Sequence, residues 1–149
     1  MTIDSSTNLP PPQSTILVAD DHLPTLKRLS RWLSAAGYAV RQATNGEEAW
    51  RSIHEECPGI VLTDWTMPRM SGQELCLAIR AEHPRHHVYI LVNTPREEPD
   101  CVMLAMAAGA DDFLTKPVEQ HELLARVRQG QWALERLRYQ ADIASCLTP

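Results

Sequence analysis

The chain has 149 residues, 44% of them hydrophobic and 22% charged, with a formal net charge of −5. That length suits one domain with a single core and short tails, and the acidic balance excludes a chain drawn onto nucleic acid by bulk charge. No apolar run approaches the roughly 20 residues a membrane span needs, and the four cysteines form no CxxC pair, so they read as reduced thiols of a cytoplasmic protein.

Residues 1–14, "MTIDSSTNLPPPQS", combine Ser, Thr and Asn with three consecutive prolines. They carry too little apolar surface to build a core and are expected to form a disordered tail. "TILVAD" (15–20) reads as a strand buried on both faces that ends in acid. Leu26, Leu29, Leu33 and Ala36 then repeat at helical spacing as far as Gly37, a plausible helix stop. "YAVRQA" (38–43) is a weaker second strand. A second helix opens at Asn45 with acids in its first turn and closes before Pro58.

"GIVLTD" (59–64) is the third strand and also ends in acid. Ser71 with Glu74 three residues on is a capping-box pattern, opening a helix that stops before Pro84. "VYILVNT" (88–94) is the fourth strand. "PDCVMLAMAAG" (99–109) is a fourth helix, apolar nearly all round, "DDFLT" (111–115) a short fifth strand, and a long last helix starts near Val118.

Five strand-then-helix repeats with short connections imply an α/β fold, a doubly wound five-stranded parallel sheet with an extended C-terminal helix. Right-handed crossovers favour the flavodoxin-like strand order 2-1-3-4-5. Such sheets bind ligands beyond the carboxyl ends of the strands, where the order reverses between strands 1 and 3. Asp20 and Asp21 end the first strand and Asp64 ends the third, so three carboxylates are expected to converge there. Thr94 at the end of strand 4 and Lys116 after strand 5 reach the same rim.

Taken singly, an Asp-Asp pair after a strand is usually a helix cap, and a Lys-Pro a surface turn. Together they describe a site. Three crowded carboxylates repel unless a cation or a shared proton relieves them, and oxygen ligands favour a hard ion such as Mg²⁺. Carboxylates, Mg²⁺, a hydroxyl and an ammonium suit the placing of a phosphoryl group on an oxygen nucleophile.

"LVADDH", "DWTMPRMSG" and "GADDFLTKP" resemble, in order and spacing, the signature segments of the receiver domains of bacterial two-component response regulators. The resemblance covers residues 15–128 as the receiver unit. It implies that Asp64 is the phosphoacceptor, charged by a sensor histidine kinase, a phosphotransfer protein or a small phosphodonor. It implies Mg²⁺ held by Asp21, Asp64 and the Thr66 carbonyl, with Asp20 acting through water. Lys116 would pair with the phosphoryl group, Thr94 would be the switch hydroxyl and Phe113 its coupled aromatic partner. On this reading the chain is no enzyme of its own, since an aspartate-nucleophile phosphatase would want an acid where Thr66 stands.

Two features depart from the family. Pro95 follows the switch threonine, where a backbone N–H would help hold the phosphoryl group, and proline has none. Asn93 occupies a strand position that is normally apolar. Pro95 motivates the alternative reading, a pseudo-receiver that binds partners without phosphorylation. Beyond Arg128, residues 129–149 continue as helix, with Val127, Leu134 and Ala141, and Leu123, Gly130, Leu137 and Ala144, seven apart. They are expected to be a linker to a further output domain, and the final "SCLTP" resembles the Leu-Thr start of diguanylate cyclase domains. Homodimerisation is expected through helix 4, strand 5 and helix 5 with this extension. No contact with nucleic acid or membrane is expected of this chain.

Overall fold

The computed structural model describes residues 14–96 and 98–147, so the predicted tail, apart from Ser14, lies outside the described residues. Ser14 itself is pinned, its N–H donating to Gln131 Oε1 at 3.0 Å. The order of elements is β1 (Ile16–Ala19), α1 (Leu23–Ala35), β2 (Val40–Ala43), α2 (Gly46–Glu55), β3 (Ile60–Asp64), α3 (Gly72–Glu82), β4 (Tyr89–Thr94), α4 (Asp100–Ala107), β5 (Asp112–Thr115) and α5 (Gln120–Leu147). All strand pairs are parallel and the sheet runs β2-β1-β3-β4-β5, the expected order. Among the described residues, no helix is long and apolar enough to cross a membrane.

Side chains alternate across each strand, so the apolar runs feed two cores. Ile16, Val18, Ile60, Leu62 and Leu91 meet α1 and α5 on one face. Leu17, Ala19, Val61, Ile90 and Val92 meet α2, α3 and α4 on the other. Local signals set the helix ends. Asn45 accepts the Glu48 N–H, Ser71 and Glu74 form the full capping box, and Gly37 turns the chain after α1 with φ 99°.

At the amino ends of β4 and β5, Arg80 and Asp111 form a buried clamp that the sequence did not advertise. Arg80 Nη2 lies 2.5 Å from Asp111 Oδ2, which also accepts the Ile90 N–H at 2.8 Å. The same guanidinium donates to the Gly109 and Val88 carbonyls. Burial pushes the Asp111 carboxyl up, while these donors pull it down.

The last helix shows no break at residue 128. Leu123, Val127, Gly130, Gln131 and Leu134 are all buried against the domain, and Arg138 Nε donates to the His86 carbonyl at 3.0 Å. The first half of the expected heptad seam is therefore intramolecular. Gly130 fits this docking, because a Cβ there would stand 2.7 Å from the Tyr89 ring. A Gly-to-Ala change inside a helix ordinarily gains about 1 kcal/mol, but overpacking costs about 1–3 kcal/mol. Gly130→Ala should therefore lower stability by about 1 kcal/mol in urea unfolding, and Tyr89→Leu in the same chain should turn the alanine into a gain. A stabilising Gly130→Ala in the otherwise unchanged protein would show that the helix is not seated on Tyr89.

Candidate functional site

The crossover that sets β1 beside β3 brings their carboxyl ends together. Asp20 and Asp64 are buried and Asp21 is exposed, and the three offer carboxylate oxygens within 4.8 Å of one another. The helix-cap alternative for the Asp-Asp pair does not hold. The N-cap of α1 is His22, with no side-chain cap. Only Asp20 Oδ1 is engaged locally, accepting the His22 N–H at 2.9 Å. Its other oxygen, Oδ2, is buried with no hydrogen-bond partner. Burial pushes the Asp20 carboxyl above its ordinary range. The His22 N–H pulls it back, the Asp64 charge raises it, Lys116 lowers it and Asp21 raises it.

Lys116 follows β5, and its Nζ lies 2.7 Å from Asp64 Oδ1. The contact is a close ion pair between a half-buried ammonium and a buried carboxylate. The Lys116–Pro117 peptide is cis. Gly72 lets the start of α3 close over the end of β3, since a Cβ there would be 2.2 Å from the Asp64 carbonyl oxygen. Its N–H donates to the Trp65 carbonyl at 2.9 Å, fixing the loop that carries Thr66. Thr66 itself is exposed, two residues beyond Asp64.

The fourth strand divides its end residues between two faces. Asp64 and Asn93 are register partners, as are Asn93 and Leu114, so Asn93 stands beside Asp64 on the face toward α1 and α5. Thr94 is buried on the opposite face with Val92, and its hydroxyl donates to the Leu114 carbonyl at 3.3 Å. Phe113 pairs with Val92 and shares that face, half-buried. Asp20, Asp21, Asp64 and Lys116 thus gather at one point, while Thr94 and Phe113 lie beside it and face away.

A cavity of about 410 Å³ opens next to the acids, with Asp20, Arg28, Asn93, Pro95 and Lys116 in its wall. Asn93 is 1% exposed, and its Oδ1 has no hydrogen-bond partner among the described residues. The signal for Asn93 was present in the sequence as a polar residue in an apolar strand, but its meaning depends on the register that sets it against Asp64. The acids fit a hard cation. They supply oxygen ligands only, two of the acids are buried, and Asp20 Oδ2 has no hydrogen-bond partner among the described residues.

Known proteins resemble this chain in sequence and in fold. Phosphate regulon transcriptional regulatory protein PhoB from Pseudomonas aeruginosa is 33% identical over 114 residues, covering 76% of this chain and 50% of that protein. Response regulator MprA from Mycolicibacterium vanbaalenii is 41% identical over 113 residues, covering 76% of this chain and 48% of that protein. The chain thus spans about half the length of the curated relatives it matches. Among solved structures, a putative response regulator from Chloroflexus aurantiacus superposes with a TM-score of 0.74 at 34% identity, over 80% of this chain and 98% of that one. A putative two-component system response regulator/ggdef domain protein superposes with a TM-score of 0.80 at 27% identity, over 83% of this chain and 51% of that one. Residues 16–128 match the response regulator receiver domain, and the chain belongs to that family.

Proposed function

We propose that this chain is a phosphoacceptor module of a two-component system, in the cytoplasm, that takes a phosphoryl group on Asp64 from a sensor histidine kinase or phosphotransfer protein. The observation that carries the reading is the Lys116 ammonium 2.7 Å from Asp64 Oδ1, beside two further carboxylates. An Asp64 oxygen attacks phosphorus while the P–N bond of the donor's phosphohistidine breaks. The bond's electron pair returns to the imidazole nitrogen, which takes up a proton. Lys116 orients Asp64 and then pairs with the phosphoryl oxygens.

Asp21, Asp64 and the Thr66 carbonyl would hold Mg²⁺, with Asp20 reaching it through water. Bound there, the ion supplies positive charge against the acids and the incoming phosphoryl group. A phosphoryl group adds about −1.5 to −2 charges and new acceptor oxygens, which draw the Thr94 hydroxyl away from the Leu114 carbonyl. Phe113 on the same face follows, altering α4, β5 and α5. Inverting a 1:99 equilibrium takes about 5.5 kcal/mol, within reach of a few charge-assisted hydrogen bonds at about 1.5–3 kcal/mol each. The alternative, a phosphorylation-independent pseudo-receiver, is favoured only by Pro95.

The receiver unit is residues 15–128 and the connector residues 129–149, leading to an output domain. The diguanylate cyclase type is one such output, and the similarity to a response regulator/ggdef domain protein supports it. The surface for a second copy is apolar. Met103, Leu104 and Met106 on α4 are exposed, as are Trp132, Tyr139, Ile143 and Leu147 on α5. Trp132, Tyr139 and Cys146 recur every seven residues on the side of α5 away from buried Val127 and Leu134, with Arg136 and Ile143 between them. That outward stripe, and not the inward Val127–Leu134 seam, is the face for a parallel helix pair.

Three outcomes are expected. Acetyl phosphate with Mg²⁺ should add one phosphoryl mass, and Asp64→Ala should abolish it; an unmodified native mass would favour the pseudo-receiver. Asp20→Asn should stabilise the metal-free protein at pH 7, because a buried carboxyl with a raised pKa loses stability as pH rises from the ordinary aspartate range through its folded value. That gain should vanish below the ordinary range, and a gain that persists there would place its origin elsewhere. In a Cys57→Ser background, mild oxidation should cross-link Cys146 between copies, and Trp132→Glu with Ile143→Glu should prevent it. Undiminished cross-linking in that variant would reject the outward stripe.

A further inference from the structure

The Asn93 side chain is costly as it stands. An unsatisfied buried polar group costs about 1–3 kcal/mol, and such groups are rare enough to require a reason. Here Asn93 is 1% exposed with its Oδ1 unpaired, among Leu91, Leu62 and Leu114 of one apolar core. A leucine at this position would remove the penalty and add apolar packing. The carboxamide therefore has no account in the fold of the free protein.

Its surroundings supply one. Asn93 is the register partner of Asp64 on the same face of the sheet, and Asp64 Oδ1 touches Lys116. Lys116, Asn93, Asp20 and Pro95 line one cavity. Pro95 has no N–H to offer to a ligand in that cavity, and the Thr94 hydroxyl is on the other face, bound to the Leu114 carbonyl. Asn93, beside Asp64 on the same face of the sheet, carries N–H donors without charge. The terminal torsion of asparagine is soft and roughly two-fold, so a half-turn exchanges its oxygen for an NH₂ group.

We infer that the Asn93 carboxamide donates to an oxygen of the phosphoryl group on Asp64, taking the place of the backbone donor that Pro95 lacks. This rests on Asp64 being the phosphoacceptor. Phosphoryl oxygens only accept, so the amide presents its NH₂ group to them, the Oδ1 being an acceptor that this contact does not itself satisfy. Asn93 and Pro95 then act as a matched pair, one supplying the donor that the other withholds.

Beryllofluoride with Mg²⁺ is the probe, with Mg²⁺ alone measured beside it. Asn93→Leu keeps the apolar character of the face, and Asn93→Ala serves if the larger side chain disturbs folding, checked by circular dichroism. The expected result is beryllofluoride affinity weakened about tenfold or more, with affinity for Mg²⁺ alone unchanged. Pro95→Ala should restore most of that loss in the Asn93 variant and add little to the unsubstituted protein. Unchanged or tighter beryllofluoride binding by Asn93→Leu overturns the inference and leaves the phosphoacceptor reading standing. Equal weakening of Mg²⁺ alone overturns it too, by making Asn93 a cation ligand. Failure of the unsubstituted protein to bind beryllofluoride would overturn the phosphoacceptor reading itself.

Discussion

The crowding of Asp20 and Asp64 at the ends of adjacent strands is the constraint on which the rest of the molecule depends. Two buried carboxylates so close cannot both ionise freely, and burial pushes Asp20 up toward its neutral form. The ammonium of Lys116 offsets part of the repulsion at Asp64, but Asp20 Oδ2 is left without a donor. The arrangement is an affinity for positive charge built into the backbone, because the β1–β3 adjacency follows from the crossover topology and not from any side-chain contact.

Satisfied and unsatisfied polar groups are distributed unevenly along the sheet. At the amino ends, Asp111 is bound by Arg80 and by the Ile90 N–H, and Arg80 binds two further carbonyls. At the carboxyl ends, Asp20 Oδ2 and Asn93 Oδ1 are buried with no hydrogen-bond partner among the described residues, while Asp64 Oδ1 is held by Lys116. One end is closed in on itself and holds α3, β4 and β5 in place; the other retains the unmet demand that a ligand can meet. The docking of α5 belongs with the closed end, since Ser14, Gln131, His86 and Arg138 tie it there.

Most of the frame was legible because its signals are local. Two-face burial of β1, β3 and β4, the Asn45 and Ser71 caps and the Leu26–Leu29–Leu33 repeat each need only a few neighbouring residues to interpret, and all appear. The convergence of Asp20, Asp21 and Asp64 followed from topology alone. What escaped is non-local. Arg80 and Asp111 are 31 residues apart and carry no motif, and Gly130 looked like a flaw in a heptad until Tyr89 was set against it. A seven-residue repeat cannot say which of two faces of a long helix its own domain will cover, and here Val127, Gly130 and Leu134 of the repeat are buried against the domain.

β4 joins these themes, because its last two residues look in opposite directions. Asn93 stands beside Asp64 and Thr94 beside the layer holding Phe113 and Val92. A strand end is a rigid place to put such a pair: its backbone is held by β3 on one side and β5 on the other, with the Lys116 N–H donating to the Thr94 carbonyl at 3.0 Å. On the proposed reading, events at the acids would reach the α4–β5 surface through side-chain choices on a fixed backbone, without moving the sheet. Pro95 strengthens this, since it restricts Thr94 toward extended geometry and leaves the hydroxyl's partner as the main freedom. On the proposed reading, Pro95 trades a backbone contact to the ligand for a stiffer strand end, and Asn93 beside Asp64 is the side chain placed to supply the missing donor.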